Sequence, residues 1–187
     1  LLAETSGKNA IIVTPSADLD LAVADVVRSA FGHAGQKCSA ASRMYVPSNL
    51  WPGVRARLVD MVSQMKMGDV RDYSNFLGAV IDRKAFDNHS SYLELGRSTA
   101  ETVIGGTASG EIGWFVKPTI FRVDDPKHRL MQEEIFGPVA TVFVYDEHRW
   151  DEVLGVVDST SPYALTGAVF AGDRRVIAHA TEALRFA

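Results

Sequence analysis

A chain of 187 residues with 47% apolar and 22% charged side chains has the size and composition of one large globular domain with a continuous core. Its 19 basic and 23 acidic residues leave a net charge of −4 spread along the sequence, which argues against nucleic acid or an anionic membrane as the main partner. No apolar run reaches membrane-spanning length and no basic-then-apolar leader opens the chain, so a cytosolic, reducing environment is the default expectation.

Leu1-Leu2-Ala3-Glu4 starts in mid-element, and Ala183 to Ala187 reads as an unfinished helix, so a piece of a longer polypeptide is expected. Asn9 to Val13 is a short apolar run of the kind that forms a buried parallel strand, closed by Thr14-Pro15-Ser16. Ser16 or Asp18 caps the next helix, in which Leu19, Ala22, Val23, Val26, Val27, Ala30 and Phe31 share one face, with Gly32 and Gly35 at its exit. Arg43 to Val46 reads as a strand and Leu50 to Met65 as a helix. Gly78 to Ile81 reads as a short strand or strand-like segment before a helix over about Arg83 to Arg97. Thr102 to Ile104 is a strand ending at Gly105-Gly106, and Trp114 to Val123 is a β-rich run interrupted by Pro118. Val139 to Tyr145 is the longest strand candidate, followed by a helix near Trp150 to Asp158, a strand Gly167 to Phe170 and a helix from Asp173.

This alternation predicts an α/β fold: an open, mostly parallel sheet in a three-layer α/β/α sandwich, with functional loops beyond the carboxyl ends of the strands.

Cys38 is the only cysteine, so it forms no internal disulfide. It is a small buried hydrophobe, a reactive thiol, or one ligand of a metal site that the other residues fail to supply. Its position in Gly35-Gln36-Lys37-Cys38-Ser39-Ala40, directly after an amphipathic helix, puts the sulfur at an element end where free backbone N–H groups stabilise an anion. That makes Cys38 the candidate nucleophile. Two further polar segments interrupt the apolar pattern at loop positions, Glu4-Thr5-Ser6-Gly7-Lys8-Asn9 and Gln132-Glu133-Glu134-Ile135-Phe136-Gly137-Pro138. Taken singly, Glu4 reads as a solvated carboxylate, the Glu133-Glu134 pair as a solvated face and Phe136 as a core aromatic.

In this order the three segments resemble the aldehyde dehydrogenase superfamily, with its Glu-x-Gly-Gly-Lys, Gly-Gln-x-Cys and Glu-Glu-Ile-Phe-Gly-Pro-Val motifs. Phe31 to Tyr45, Asn49 to Pro52, Phe76 to Asp82, Gly113 to Pro118 and Asp158 to Phe170 are similar to the 1-pyrroline-5-carboxylate dehydrogenase branch, and the resemblance covers essentially the whole chain.

The resemblance implies an NAD-dependent enzyme that oxidises L-glutamate γ-semialdehyde to L-glutamate in proline catabolism. Cys38 attacks the aldehyde as a thiolate, NAD accepts the hydride from the thiohemiacetal, and water cleaves the thioester. A free thiol, with a pKa of about 8.5, needs help from its surroundings, to which Lys37, nearby N–H groups and NAD each contribute. By the same resemblance Glu4 is the general base, Glu134 accepts hydrogen bonds from the nicotinamide ribose, Phe136 packs beside the nicotinamide and Ser39 touches the substrate's carboxylate end. Ser6 departs from the pattern, since the family commonly has glycine there.

The resemblance further implies that residues 1–187 are the catalytic domain, with the Rossmann cofactor domain and the oligomerisation arm outside this chain. One oxyanion donor is the Cys38 N–H; the second, an asparagine amide, lies upstream of Leu1. The isolated segment is therefore expected to be inactive. Its implied partners are a small aldehyde, the remainder of its own polypeptide and, when intact, further copies of itself. An aldehyde dehydrogenase for another semialdehyde, a catalytically silent fragment and a cysteine-dependent hydrolase are the alternative readings, the last weakened by the want of a convincing histidine partner. His33 is not taken as that partner.

Overall fold

The computed structural model describes residues 7–162 and 164–185. Six strands form one sheet in the order β3-β6-β7-β2-β1-β8. They are β1 (Asn9–Val13), β2 (Ala41–Pro47), β3 (Glu101–Ile104), β6 (Thr119–Val123), β7 (Val139–Tyr145) and β8 (Gly167–Phe170), and only β3 runs antiparallel to its neighbour. Two short strands, β4 (Ala108–Ser109) and β5 (Phe115–Val116), pair with each other apart from this sheet. The helices are α1 (Leu19–Phe31), α2 (Trp51–Ser63), α3 (Arg83–Thr99), α4 (Arg129–Gln132), α5 (Trp150–Thr160) and α6 (Arg174–Ala183).

Because successive strand residues face opposite sides, β1 feeds two cores. Ile11 and Val13 pack with Val23, Val27 and Phe31 of α1 and Leu58 of α2. Ala10 and Ile12 pack on the other face with Val153 and Val157 of α5 and Ala180 of α6. On that second face Leu93 of α3 joins Phe121 of β6 and Leu130 of α4. Helices on both faces explain why β1 is buried along its whole length and why its sequence is a continuous apolar run. The expected three-layer α/β/α fold is present.

Helix starts follow capping chemistry. Asp18 rather than Ser16 caps α1, its carboxylate accepting from the N–H groups of Asp20 and Leu21, while Asp82 and Asp173 cap α3 and α6. No helix among the described residues is long and apolar enough to cross a membrane.

Two expectations are corrected here, for Gly78 to Ile81 and for the last helix. Gly78 to Ile81 is not a strand: Leu77 makes one isolated bridge to Met67, and the N–H groups of Val80 and Ile81 go to the Trp114 carbonyl and the Gln36 side chain. A run of four apolar residues with no neighbouring strand to pair with stays irregular, and Ile81 is 83% exposed. As expected, the run Trp114 to Val123 is interrupted at Pro118; its two pieces, β5 and β6, belong to different sheets. The last helix ends at Ala183, because Leu184 is already extended.

Candidate functional site

A further correction, to the edge of the sheet at which the polar loops meet, carries most for function. The polar loops converge at the amino ends of the parallel strands, not beyond their carboxyl ends. Gly7 and Lys8 precede β1, Lys37 to Ala40 precede β2, Glu133 to Pro138 precede β7, and Leu165 and Thr166 precede β8. Their strands are adjacent in the sheet, so four distant segments share one edge. The rule that places sites at carboxyl ends is a tendency of open sheets whose strand-to-helix loops are long. Here Thr14-Pro15 and Pro47-Ser48 turn tightly into helices at that edge, and the polar loops lie at the other.

Cys38 sits in the middle of a turn closed by the Ala40 N–H on the Lys37 carbonyl at 3.0 Å, and its side chain is exposed. Ser39 and Lys37 beside it are exposed as well. A short 3-10 turn, Gly32–Gly35, leads into this segment, and in it His33, Ala34 and Gly35 all adopt left-handed backbone with φ of 57°, 54° and 66°. His33 is exposed, and among the described residues no hydrogen bond joins its ring to the thiol; its carbonyl accepts from the Gln36 N–H.

Close backbone contact binds the loops together. A Cβ added at Gly35 would lie 2.2 Å from the Gly137 carbonyl oxygen, and one added at Gly7 would lie 2.2 Å from that of Cys38. Only glycine fits either place. The Gly7 N–H donates to Glu134 Oε1 at 2.6 Å, which links the chain entering β1 to the segment entering β7.

The two adjacent glutamates have different duties. Glu133 accepts from Arg129 at 3.0 and 2.9 Å and from the Tyr92 hydroxyl at 2.8 Å. The Arg129 guanidinium, then the Tyr92 hydroxyl, hold its carboxyl below the usual carboxylate range. Glu134 is the one that faces Gly7. Phe136, two residues on, has φ of +57° and is 45% exposed. Glu4, Thr5 and Ser6 lie outside the described residues. Among the described residues no group of three His, Cys, Asp or Glu side chains is placed to hold a metal ion.

Several site-forming residues escape a sequence reading. Asn9 is buried and bonds four backbone groups of two loops. Lys8 is fully buried with Nζ donating to Ser42 Oγ at 2.7 Å. Burial, then repulsion from Arg43, drives its ammonium pKa down to about 7 against the attraction of Glu134 and Glu133. Arg43 is buried too, its Nε donating to the Lys8 carbonyl at 2.8 Å. The legible signal is a polar residue opening an otherwise apolar strand, as Asn9 does.

The exposed Cys38 turn is thus tied through Gly7 to the segment that carries Glu134 and the exposed Phe136. The family model described as Aldehyde dehydrogenase family matches residues 1–187, and the chain belongs to that family. Among its relatives, the mitochondrial delta-1-pyrroline-5-carboxylate dehydrogenase of Danio rerio is 50% identical over 185 residues, covering 97% of this chain and 33% of that protein. The delta-pyrroline-5-carboxylate dehydrogenase of Mycobacterium tuberculosis, in a crystal structure bound with NAD, is 37% identical with a TM-score of 0.90, over 98% of this chain and 34% of that one. Betaine aldehyde dehydrogenase of Staphylococcus aureus, crystallised with NAD+, is 31% identical with a TM-score of 0.91, over 98% and 37%. The chain thus spans about a third of the length of the curated relatives it matches.

Proposed function

We propose that the enzyme carrying this chain oxidises L-glutamate γ-semialdehyde, in equilibrium with 1-pyrroline-5-carboxylate, to L-glutamate with NAD, in proline catabolism. Residues 1–187 form its nucleophile-bearing catalytic domain, and the dinucleotide-binding domain and oligomerisation arm lie on other sequence of the same polypeptide. The observation that carries this reading is the contact of Gly7 with both Glu134 and the Cys38 turn, in a chain whose relatives are 1-pyrroline-5-carboxylate dehydrogenases. The enzyme works as a homo-oligomer in the cytosol, or in the mitochondrial matrix of a eukaryote.

Cys38 is the nucleophile. Its thiolate adds to the aldehyde carbon, the carbon–sulfur bond forms, and the carbonyl π electrons move to oxygen, where the Cys38 N–H is one donor. The hydroxyl of Ser39 next to it binds the carboxylate end of the substrate. Bound NAD supplies the two-electron acceptor that turns this adduct into a thioester.

The residues present fit that cofactor. Glu134 keeps Oε2 for a ribose hydroxyl while Oε1 holds Gly7, and the exposed Phe136 ring offers an apolar face to a planar ring. Glu4 is the base that takes a proton from the water that cleaves the thioester.

The test is the substrate range of the enzyme, followed as NADH formation. L-Glutamate γ-semialdehyde is expected to have the highest kcat/KM, and a preference for short unbranched aldehydes would assign the site to another aldehyde dehydrogenase activity. Residues 1–187 alone are expected to form no NADH.

A further inference from the structure

The backbone at Phe136 is strained, and α3 supplies the groups that hold it. A bulky residue in the left-handed region persists only where its surroundings dictate that conformation. His89 is 1% exposed, and its Nε2 lies 3.0 Å from the Phe136 carbonyl oxygen. A carbonyl only accepts, so Nε2 carries the proton and Nδ1 the lone pair. The His89 ring also fills the space beside Gly137, where an added Cβ would meet Nε2 at 2.5 Å. Asn88, the preceding residue of α3, donates to the Ile135 carbonyl at 3.4 Å. Nδ1 of His89 is buried and has no hydrogen-bond partner among the described residues. A leucine here would spare the unpaired Nδ1 but leave the Phe136 carbonyl without this donor, so packing alone does not account for a histidine.

We infer that Asn88 and His89 are positioning residues, a clamp from α3 on the Ile135-Phe136 backbone that sets the pose of the Phe136 ring against the nicotinamide end of bound NAD. This rests on the assignment of Glu134 and Phe136 to the cofactor. The clamp touches only backbone, which leaves the Phe136 side chain free to meet a ligand while its Cα is fixed from behind.

The test measures NAD dissociation constants of the intact enzyme by fluorescence titration, with thermal midpoints and kinetics alongside, for His89→Leu, His89→Gln and Glu134→Gln. Losing one hydrogen bond that fixes the pose corresponds to a roughly tenfold weaker Kd and a matching rise in KM for NAD in His89→Leu. The fall in kcat at saturating NAD is expected to be smaller. His89→Gln, whose amide N–H reaches the same carbonyl, is expected to restore most of the affinity. Unchanged affinity in His89→Leu overturns the clamp if Glu134→Gln weakens binding. Unchanged affinity in Glu134→Gln overturns the cofactor assignment and the clamp with it. Equal losses in His89→Leu and His89→Gln, each matched by a lowered thermal midpoint, reduce His89 to a packing role and also overturn the clamp.

Discussion

Asn9 donates to the Cys38 carbonyl at 2.6 Å and to the Ala40 carbonyl at 2.9 Å, so the first residue of β1 holds both sides of the Cys38 turn. Its Oδ1 accepts from the N–H groups of Leu165 and Thr166 at 2.9 and 2.8 Å. Two donors and two lone pairs are thereby all used, and one side chain ties the turn before β2 to the loop before β8. The turn that presents Cys38 is therefore fastened to the sheet through a neighbouring strand.

Replacing Asn9 by alanine strands four backbone groups. The expected loss of stability is about 3 kcal/mol, read from urea unfolding. Where the variant remains folded, the rate of Cys38 alkylation by iodoacetamide is expected to change. An alkylation rate equal to the parent's would show that Asn9 does not hold the nucleophile.

Gly35→Ala places a Cβ at φ +66° and 2.2 Å from the Gly137 carbonyl. Both the backbone strain and the collision count, and the expected loss is about 2–4 kcal/mol. Gly32→Ala, where an added Cβ meets nothing within 4 Å, serves as the control and is expected to be close to neutral. Comparable melting points for the two variants would remove Gly35 from the account.

Much of this architecture was legible because the elements have strong local causes. The buried run of β1 and the apolar face of α1 each predict one element, and the alternation predicts the layered sheet. Gly78 to Ile81 misled because strand formation depends on a partner that local sequence does not reveal. α4 escaped because a single turn has no periodicity to detect. The convergence of Gly7, Cys38 and Glu134 depends on which strands are neighbours, and so does the side of the sheet on which they meet. Nothing within any one segment encodes that order.

Lys8 gives the stability a defined pH dependence. In the folded chain its pKa is lowered to about 7, while in the unfolded chain it is near 10.4. Between these values the unfolded state holds more protons, so this group makes stability rise as pH rises from about 7 to about 10, and below pH 7 its burial cost is felt in full. Urea midpoints at several pH values across this window are expected to climb more steeply for the parent than for Lys8→Met. Parallel curves for the two proteins would contradict a buried, depressed lysine.

The most direct test of the central claim, that Cys38 carries the reacting carbon, is mass spectrometry of the enzyme quenched in acid during turnover of L-glutamate γ-semialdehyde with NAD. The account predicts an acyl thioester on the peptide containing Cys38, absent from Cys38→Ala, together with a loss of kcat in that variant of about a thousandfold or more. An unmodified Cys38 peptide at every quench time, with Cys38→Ala still forming NADH at the parent rate, would contradict it.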